Sequence, residues 1–109
     1  MDQLDELVQR SRNTPLLLFK HSPTCGISAQ AFDELEMLQQ DDSLLDVVVV
    51  DVFSGRDLSR AVAAKFGIRH ESPQALLMTG GTVRWHASHH RVTADAIRRA
   101  VDALGREPG

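Results

Sequence analysis

The chain begins with two short stretches of different hydrophobic pattern. Leu4, Leu7 and Val8 recur at helical spacing and predict a first helix that is ended by Asn13-Thr14-Pro15. The next run, residues 16–20, opens with four consecutive apolar residues, which is typical of a strand covered on both faces. The first part of the chain therefore predicts a helix followed by a buried strand.

A second helix and a second buried strand follow. Apolar residues recur at helical spacing from Gly26 to about Gln40, and the acidic residues of this segment point outward. A turn at Asp42-Ser43 precedes the valine-rich run of residues 47–52, which again predicts a strand with two covered faces. The apolar positions that define the helix are Ile27, Ala31, Phe32, Leu35 and Leu38.

Two glycine signals delimit a third helix. Ser54-Gly55 makes a turn into it, and Gly67 closes it as the expected C-cap. Residues 69–73 interrupt regular structure, and residues 74–79 then resume as a strand. The apolar positions of this helix are Leu58, Ala61, Val62 and Phe66.

The remaining residues predict a hairpin and a last helix, so the full order is α-β-α-β-α-β-β-α. Gly80-Gly81 is a strong hairpin signal. The alternation in residues 82–86 predicts a half-buried antiparallel strand with Val83 and Trp85 facing inward. Thr93 is the expected N-cap of the final helix. The core positions of that helix are Ala94, Ile97, Val101 and Leu104.

Composition and charge restrict the class of protein. The chain has 109 residues, of which 42% are hydrophobic, enough for one globular domain with one core. A net charge of -3 at pH 7, without a basic run, predicts that neither nucleic acid nor an anionic membrane is a partner. The apolar runs are too short to cross a bilayer, and the acidic amino terminus is unlike a signal sequence. We therefore expect a cytoplasmic protein of one domain, residues 1–109.

The candidate chemistry centres on Cys25, the only cysteine, between the first strand and the second helix. Free backbone N–H groups and the positive end of the macrodipole stabilise a thiolate at a helix start, so a cysteine there is nucleophilic near neutral pH. A lone cysteine is also often a small buried apolar residue without chemistry. One cysteine cannot form an intramolecular disulfide, which suits a reducing compartment.

The order of elements, with a cysteine at the first strand-helix junction, resembles the thioredoxin fold over about residues 15–104. Two further anchors carry the resemblance: the run Ala63-Ala64-Lys65-Phe66-Gly67-Ile68 that leads to a proline, and the Gly80-Gly81 hairpin. The resemblance implies an α/β fold in which helices flank a central four-stranded mixed sheet. It also implies that the Ser72-Pro73 bond is cis and that Pro73 lies against Cys25.

The reactive segment Cys25-Gly26-Ile27-Ser28 has only half of the usual dithiol motif. Thioredoxins carry CxxC, in which the second thiol resolves a mixed disulfide, whereas this chain has CxxS. A mixed disulfide at Cys25 therefore waits for a thiol from outside the chain, and a low-molecular-weight thiol is the expected reactant. Ser28, one helical turn from the cysteine, is placed to donate a hydrogen bond to the thiolate, and an ordinary first-turn serine explains it equally well.

Three segments resemble a narrower family, the bacillithiol system redox-active proteins, or monothiol bacilliredoxins. They are Phe19-Lys20-His21-Ser22, His70-Glu71-Ser72-Pro73-Gln74 and Trp85-His86-Ala87-Ser88-His89. Members carry a thioredoxin fold and remove bacillithiol from mixed disulfides on proteins. The family motif has proline after the cysteine, as in Thr-Cys-Pro-Ile-Ser, and this chain departs from it with Gly26.

The family resemblance implies a two-step exchange at Cys25. The cysteine takes bacillithiol from a protein mixed disulfide, and a second bacillithiol then frees it as the symmetric disulfide. Bacillithiol is thus the expected co-substrate, S-bacillithiolated proteins are the expected clients, and a separate pyridine-nucleotide-dependent reductase regenerates bacillithiol. No bound cofactor or metal is expected. The residues expected to support the thiolate are His21, Thr24, Gly26 and Ser28, and those expected to bind substrate are His70, Ser72, Pro73 and Gln74.

Three other functions fit parts of the pattern. Cys25-Gly26-Ile27-Ser28 also resembles the Cys-Gly-Phe-Ser site of monothiol glutaredoxins, which bridge an iron-sulfur cluster between two chains with glutathione. In glutaredoxins, however, the glycine pair lies at a helix start rather than in a hairpin. His86, His89 and His90 are candidate zinc ligands, although they fall at a strand end and a loop. The third alternative is a non-catalytic thioredoxin-like interaction domain in which Cys25 is buried.

Overall fold

The computed structural model describes residues 2–41 and 45–104, and its elements follow the predicted order. The predicted turn at Asp42-Ser43 lies outside the described residues. The helices are α1 (Gln3–Asn13), α2 (Gly26–Asp41), α3 (Arg56–Phe66) and α4 (Ala94–Leu104), and a short 3-10 helix, His89–Arg91, precedes α4. The strands are β1 (Leu16–His21), β2 (Asp46–Asp51), β3 (Gln74–Thr79) and β4 (Thr82–Ser88).

The four strands form one mixed sheet, as expected, and their order in it is β2-β1-β3-β4. β1 and β2 are parallel, and β3 runs antiparallel to both of its neighbours. In this register Lys20 lies opposite Gln74, so β1 ends where β3 begins. The segment that follows β1 and the segment that precedes β3 are therefore brought to the same end of the sheet.

Each face of the sheet is covered by a pair of helices, which explains the continuous apolar runs of β1 and β3. Successive residues of a strand point to opposite faces, so each run supplies both cores. On the face covered by α2 and α4, the buried strand residues are Leu17, Phe19, Ala75 and Leu77. On the face covered by α1 and α3, they are Leu16, Leu18, Val50, Leu76 and Met78.

Val83 and Trp85 both pack inward as predicted, but a bulge in β4 places them on opposite faces of the sheet. Trp85 lies opposite Leu77 and Val83 lies opposite Met78, so one extra residue of β4, Arg84, is inserted at this point. The insertion reverses the alternation of side chains along the strand. Trp85 accordingly packs on the core beneath α2 and α4, whereas Val83 packs on the core beneath α1 and α3.

The predicted helix and hairpin boundaries are confirmed by backbone geometry. Gly67 ends α3 in the left-handed conformation, with φ of 66°, and Gly80 and Gly81 turn the hairpin with φ of 58° and 83°. The Thr93 hydroxyl accepts a hydrogen bond from the Ala96 N–H at 3.1 Å, as an N-cap does. Among residues 2–41 and 45–104, no helix combines the length and the apolar character that crossing a membrane would need.

Candidate active site

Cys25 lies at the start of α2, just beyond the end of β1. Its N–H donates to the Ser22 carbonyl at 3.1 Å and closes a turn through Pro23 and Thr24. Its carbonyl accepts the first helical hydrogen bond, from the Ala29 N–H at 3.0 Å. The first turn of α2 contains no acidic residue, so no carboxylate there competes with a thiolate for the positive end of the helix. As a residue, the cysteine is partly exposed rather than buried.

Ser28 connects the end of β1 to the first turn of α2. Its side chain is fully buried. The Oγ atom accepts a hydrogen bond from the Ser22 N–H at 2.9 Å and lies 2.7 Å from His21 Nδ1. In the described part of the chain no hydrogen bond joins Ser28 Oγ to the sulfur, so direct donation to the thiolate stays a prediction. The contacts show that Ser28 holds in place the loop that presents Cys25.

His21, the last residue of β1, packs among aromatic rings. Its imidazole stacks on Phe19 with ring centroids 5.5 Å apart, and it lies 5.2 Å from the ring of Phe32 on α2. The ring is therefore fixed on the α2 face of the sheet, with Nδ1 turned to the Ser28 hydroxyl. This placement supports a role for His21 in positioning the helix start.

Thr24 and Gly26 flank the cysteine and are both exposed. Gly26 is the first residue of α2, and a Cβ built at this position meets nothing within 4 Å. Its N–H belongs to the set that has no partner inside a helix, so a proline here removes no helical hydrogen bond. The space and the position at residue 26 are thus compatible with the proline of the family motif.

We expect Gly26→Pro to raise the free energy of unfolding by about 0.5 to 1 kcal/mol, because proline restricts the unfolded chain. Urea unfolding at pH 7 measures the change. Ala64→Pro is the matched control, since an interior helical proline in α3 should lower stability by about 3 kcal/mol. A loss of stability in Gly26→Pro would mean that the backbone at residue 26 does not accept the φ of proline.

The Ser72-Pro73 peptide bond is cis, as the resemblance implied. Pro73 is buried, and its carbonyl accepts a hydrogen bond from the His89 N–H at 2.8 Å. It precedes β3 and lies at the end of the sheet where β1 leads into Cys25. Contact between Pro73 and the sulfur stays a prediction. The Ser72 hydroxyl is buried without a hydrogen-bond partner among the described residues.

Gln74 ties the loop before β3 to the end of β4. Its side chain is 1% exposed, and Nε2 donates to the Arg69 carbonyl at 3.0 Å and to Ser88 Oγ at 3.3 Å. Its Oε1 atom is buried without a partner within residues 2–41 and 45–104. Gln74 therefore supports the loop that carries His70, Ser72 and Pro73. Neither of its two hydrogen bonds is made to Cys25.

His70 is paired with Lys20, a residue to which the sequence reasoning gave no role. Lys20 is 0% exposed, and its Nζ donates to the Ser59 carbonyl of α3 at 3.1 Å and lies 3.1 Å from His70 Nδ1. No ion pair links Lys20 to a carboxylate among the residues described. The sequence does contain a sign that this lysine is buried, because Lys20 directly follows the four consecutive apolar residues of β1. Lys20 thus joins β1, α3 and the loop before Pro73.

Burial dominates the electrostatics of this pair. It lowers the pKa of Lys20 to about 8. Burial also lowers the pKa of His70, as do the positive charges of Lys20 and Arg60, and Glu71 opposes this shift. His70 is therefore the neutral imidazole at neutral pH. A neutral ring that accepts at Nδ1 carries its proton on Nε2.

The geometry also bears on the three alternative functions. The Gly80-Gly81 pair does form the hairpin between β3 and β4, unlike the glycine pair of glutaredoxins. In the described ranges, no three His, Cys, Asp or Glu side chains are grouped so that they could hold a metal ion. His86, His89 and His90 therefore do not form such a group. Cys25 is partly exposed rather than buried, which disfavours the interaction domain with an inert thiol.

Comparison with known proteins agrees with this geometry. A model of the family described as "Monothiol bacilliredoxin BrxC" matches residues 1–97. A solved structure described as a candidate oxidoreductase with a thioredoxin fold shows 31% sequence identity and a TM-score of 0.84, covering 93% of this chain and 88% of that chain.

More distant structures share the architecture alone. Thioredoxin f2 of Chlamydomonas reinhardtii is 17% identical with a TM-score of 0.74, over 97% of this chain and 92% of that one. Mitochondrial thioredoxin 3 of Saccharomyces cerevisiae, in its oxidized form, is 17% identical with a TM-score of 0.73, over 93% and 90%. The expected thioredoxin fold is confirmed, and the comparisons together support a redox function.

Proposed function

The chain belongs to the monothiol bacilliredoxin family, and from this membership we propose that it removes bacillithiol from protein mixed disulfides through a mixed disulfide at Cys25. The observation that carries the proposal is a single, partly exposed thiol at the start of α2, without a second cysteine anywhere in the chain. Cys25 directly precedes the first turn of α2, whose N–H groups have no partner inside the helix. The reaction belongs to a reducing compartment, and we place it in the cytoplasm.

The first step is a thiol-disulfide exchange at Cys25. The Cys25 thiolate attacks the bacillithiol sulfur of the protein-bacillithiol disulfide, and the bond between the two sulfurs of that disulfide breaks. The client leaves as a thiolate, which takes a proton from water, and the Cys25-bacillithiol disulfide remains. Thr24, Gly26, Ser28 and His21 would support the attacking thiolate through the turn and helix start that they build.

The second step needs a thiol from outside, because Ser28 stands where a dithiol enzyme has its resolving cysteine. The thiolate of a second bacillithiol attacks the bacillithiol sulfur of the adduct, and Cys25 leaves as a thiolate. The product is the symmetric bacillithiol disulfide. A separate pyridine-nucleotide-dependent reductase would return it to two thiols, so this chain needs no bound cofactor.

The loop before β3 would bind the backbone of the substrate. The Pro73 carbonyl is already occupied by the His89 N–H, so Ser72 is the residue whose backbone would pair with the substrate. Pro73 would form the floor next to the reacting sulfurs. His70 and Gln74 would support binding indirectly, because His70 holds this loop to Lys20 and Gln74 holds it to Ser88.

Transfer of the adduct tests the proposal directly. Reduced protein is mixed with one equivalent of an S-bacillithiolated client, without free bacillithiol, and its intact mass is measured under non-reducing conditions. We expect one bacillithiol on Cys25 and a free client thiol. Added bacillithiol should then remove the adduct, and protein alkylated beforehand should take up none. A client that keeps its bacillithiol, or that itself becomes linked to Cys25, would contradict the proposal.

A further inference from the structure

A cleft of about 620 Å³ lies between the loop before β3 and the end of β4. Two of the three segments that resemble the family, residues 70–74 and 85–89, contribute to its lining. The proposed exchange at Cys25 uses the first segment only in part, and the second segment only through the contacts of Ser88 and His89 with the loop before β3. The charged and titratable residues that line the cleft are Arg69, Glu71, His86, His89, His90 and Arg91.

This cleft is connected to the end of the sheet that carries Cys25. His89, in its wall, donates its N–H to the Pro73 carbonyl at 2.8 Å. His89 has φ of 56°, a conformation that residues other than glycine seldom adopt and that tends to occur at functional sites. His89 and His90 also line a second cavity, of about 340 Å³, which reaches Ile27, two residues after Cys25.

The lining is basic, although the chain as a whole has a net charge of -3. Among the described residues that line it, two arginines and three histidines accompany one carboxylate, that of Glu71. The pKa of Glu71 is lowered, first by a hydrogen bond from Ser88 and also by His89, Arg69 and His86. The Ser88 hydrogen bond and the positive side chains thus act in the same direction on this pKa, toward the charged form of the Glu71 carboxylate.

Building on the proposed function, we propose that this cleft binds the carboxylates of the low-molecular-weight thiol that reacts at Cys25. Arg69 and Arg91 supply charged N–H donors of the kind that recognise carboxylates. The volume lies in the range of sites for small molecules. Bacillithiol, which carries carboxylate groups, is the thiol of matching chemistry, and its sulfur would reach Cys25 around the His89 side of Pro73.

The test compares two adducts of one client protein. One carries bacillithiol in disulfide linkage, and the other carries 2-mercaptoethanol, which has no charge. The measured quantity is the ratio of kcat/KM for the bacillithiol adduct to kcat/KM for the uncharged adduct. We expect the double variant Arg69→Gln/Arg91→Gln to lower this ratio about tenfold, mainly through KM, as two exposed charge pairs would. Arg56→Gln, at the start of α3 outside the cleft, is the matched control and should keep the wild-type ratio.

An unchanged ratio in the double variant would overturn the proposal. An equal loss on both adducts would also overturn it, because the arginines would then act on the client or on the fold. A binding measurement that needs no turnover distinguishes a failure of this site from a failure of the proposed function. Reduced bacillithiol is titrated into the Cys25→Ser protein, and amide shifts are followed by NMR. Shifts around Arg69 and Arg91 that the double charge variant weakens support the cleft even if exchange at Cys25 fails, and their absence overturns it.

Discussion

Cys25→Ser should abolish the release of bacillithiol from a modified client, with kcat/KM falling on the order of a thousandfold or more. Serine has the same shape as cysteine with a smaller oxygen in place of the sulfur, and its hydroxyl cannot form a disulfide. The fold should be unaffected, because Cys25 is partly exposed and its hydrogen bonds are made by its backbone. Release of bacillithiol is measured by mass spectrometry of the client.

A second variant separates the position of the thiol from its mere presence. Cys25→Ser/Ala64→Cys keeps one thiol in the chain but moves it to an exposed site in the interior of α3. A helix interior has no free N–H groups to stabilise a thiolate, so this variant should also be inactive. Activity in either variant would mean that the exchange does not run through the cysteine at the start of α2.

Between pH 7 and pH 10, the free energy of unfolding should rise by about 2 to 3 kcal/mol because of Lys20. The pKa of this lysine is about 8 in the folded protein, below its ordinary value of 10.5. Between these two values the unfolded chain binds more protons than the folded protein, and stability therefore increases with pH. The physical cause is burial: the charged ammonium is desolvated in the fold, and the neutral amine is not penalised.

Urea unfolding at several pH values between 7 and 10 measures this slope. Lys20→Met keeps an unbranched side chain and removes the amine, so the contribution of Lys20 to the rise should be absent. The chain contains one other lysine, the exposed Lys65, and no tyrosine, so few groups titrate in this range. Lys65→Met is the control and should keep the wild-type slope. A slope that Lys20→Met does not change would show that Lys20 is solvated in the folded protein.

Local patterns predicted the elements because they depend on neighbouring residues. The apolar run at residues 16–20 was predicted to be a strand covered on both faces, and it does supply two cores. The valine-rich run at residues 47–52 was predicted to be covered in the same way, but it forms the edge strand β2, in which Val50 is buried and Val49 is 45% exposed. As predicted, Gly67 ends α3 and Thr93 caps the start of α4. A positive φ and a capping hydroxyl are properties of single residues, so the sequence is enough to predict them. The bulge at Arg84 was missed, because the alternation of residues 82–86 looks the same with or without it.

The reactive position was also visible in the sequence, and its surroundings were not. Cys25, at the junction of a predicted strand and a predicted helix, is the candidate nucleophile on the sequence alone. The partners of Ser28 were not foreseen, because His21 reaches its hydroxyl only when β1 and α2 fold against each other. Lys20 and His70 are 50 positions apart, and their contact exists only because β1 and the loop before β3 meet at one end of the sheet.

The sequence by itself determined the order of helices and strands, the monothiol character of the site and the family that it resembles. These properties reside in residue spacing and in the single cysteine, which need no knowledge of distant contacts. The tertiary structure alone decided which side chains surround the site. It set the burial of Lys20, the contact of Ser28 with His21, and the cleft between the loop before β3 and the end of β4. Each depends on groups from different elements, and their solvation and charge are set only when the sheet brings those elements together.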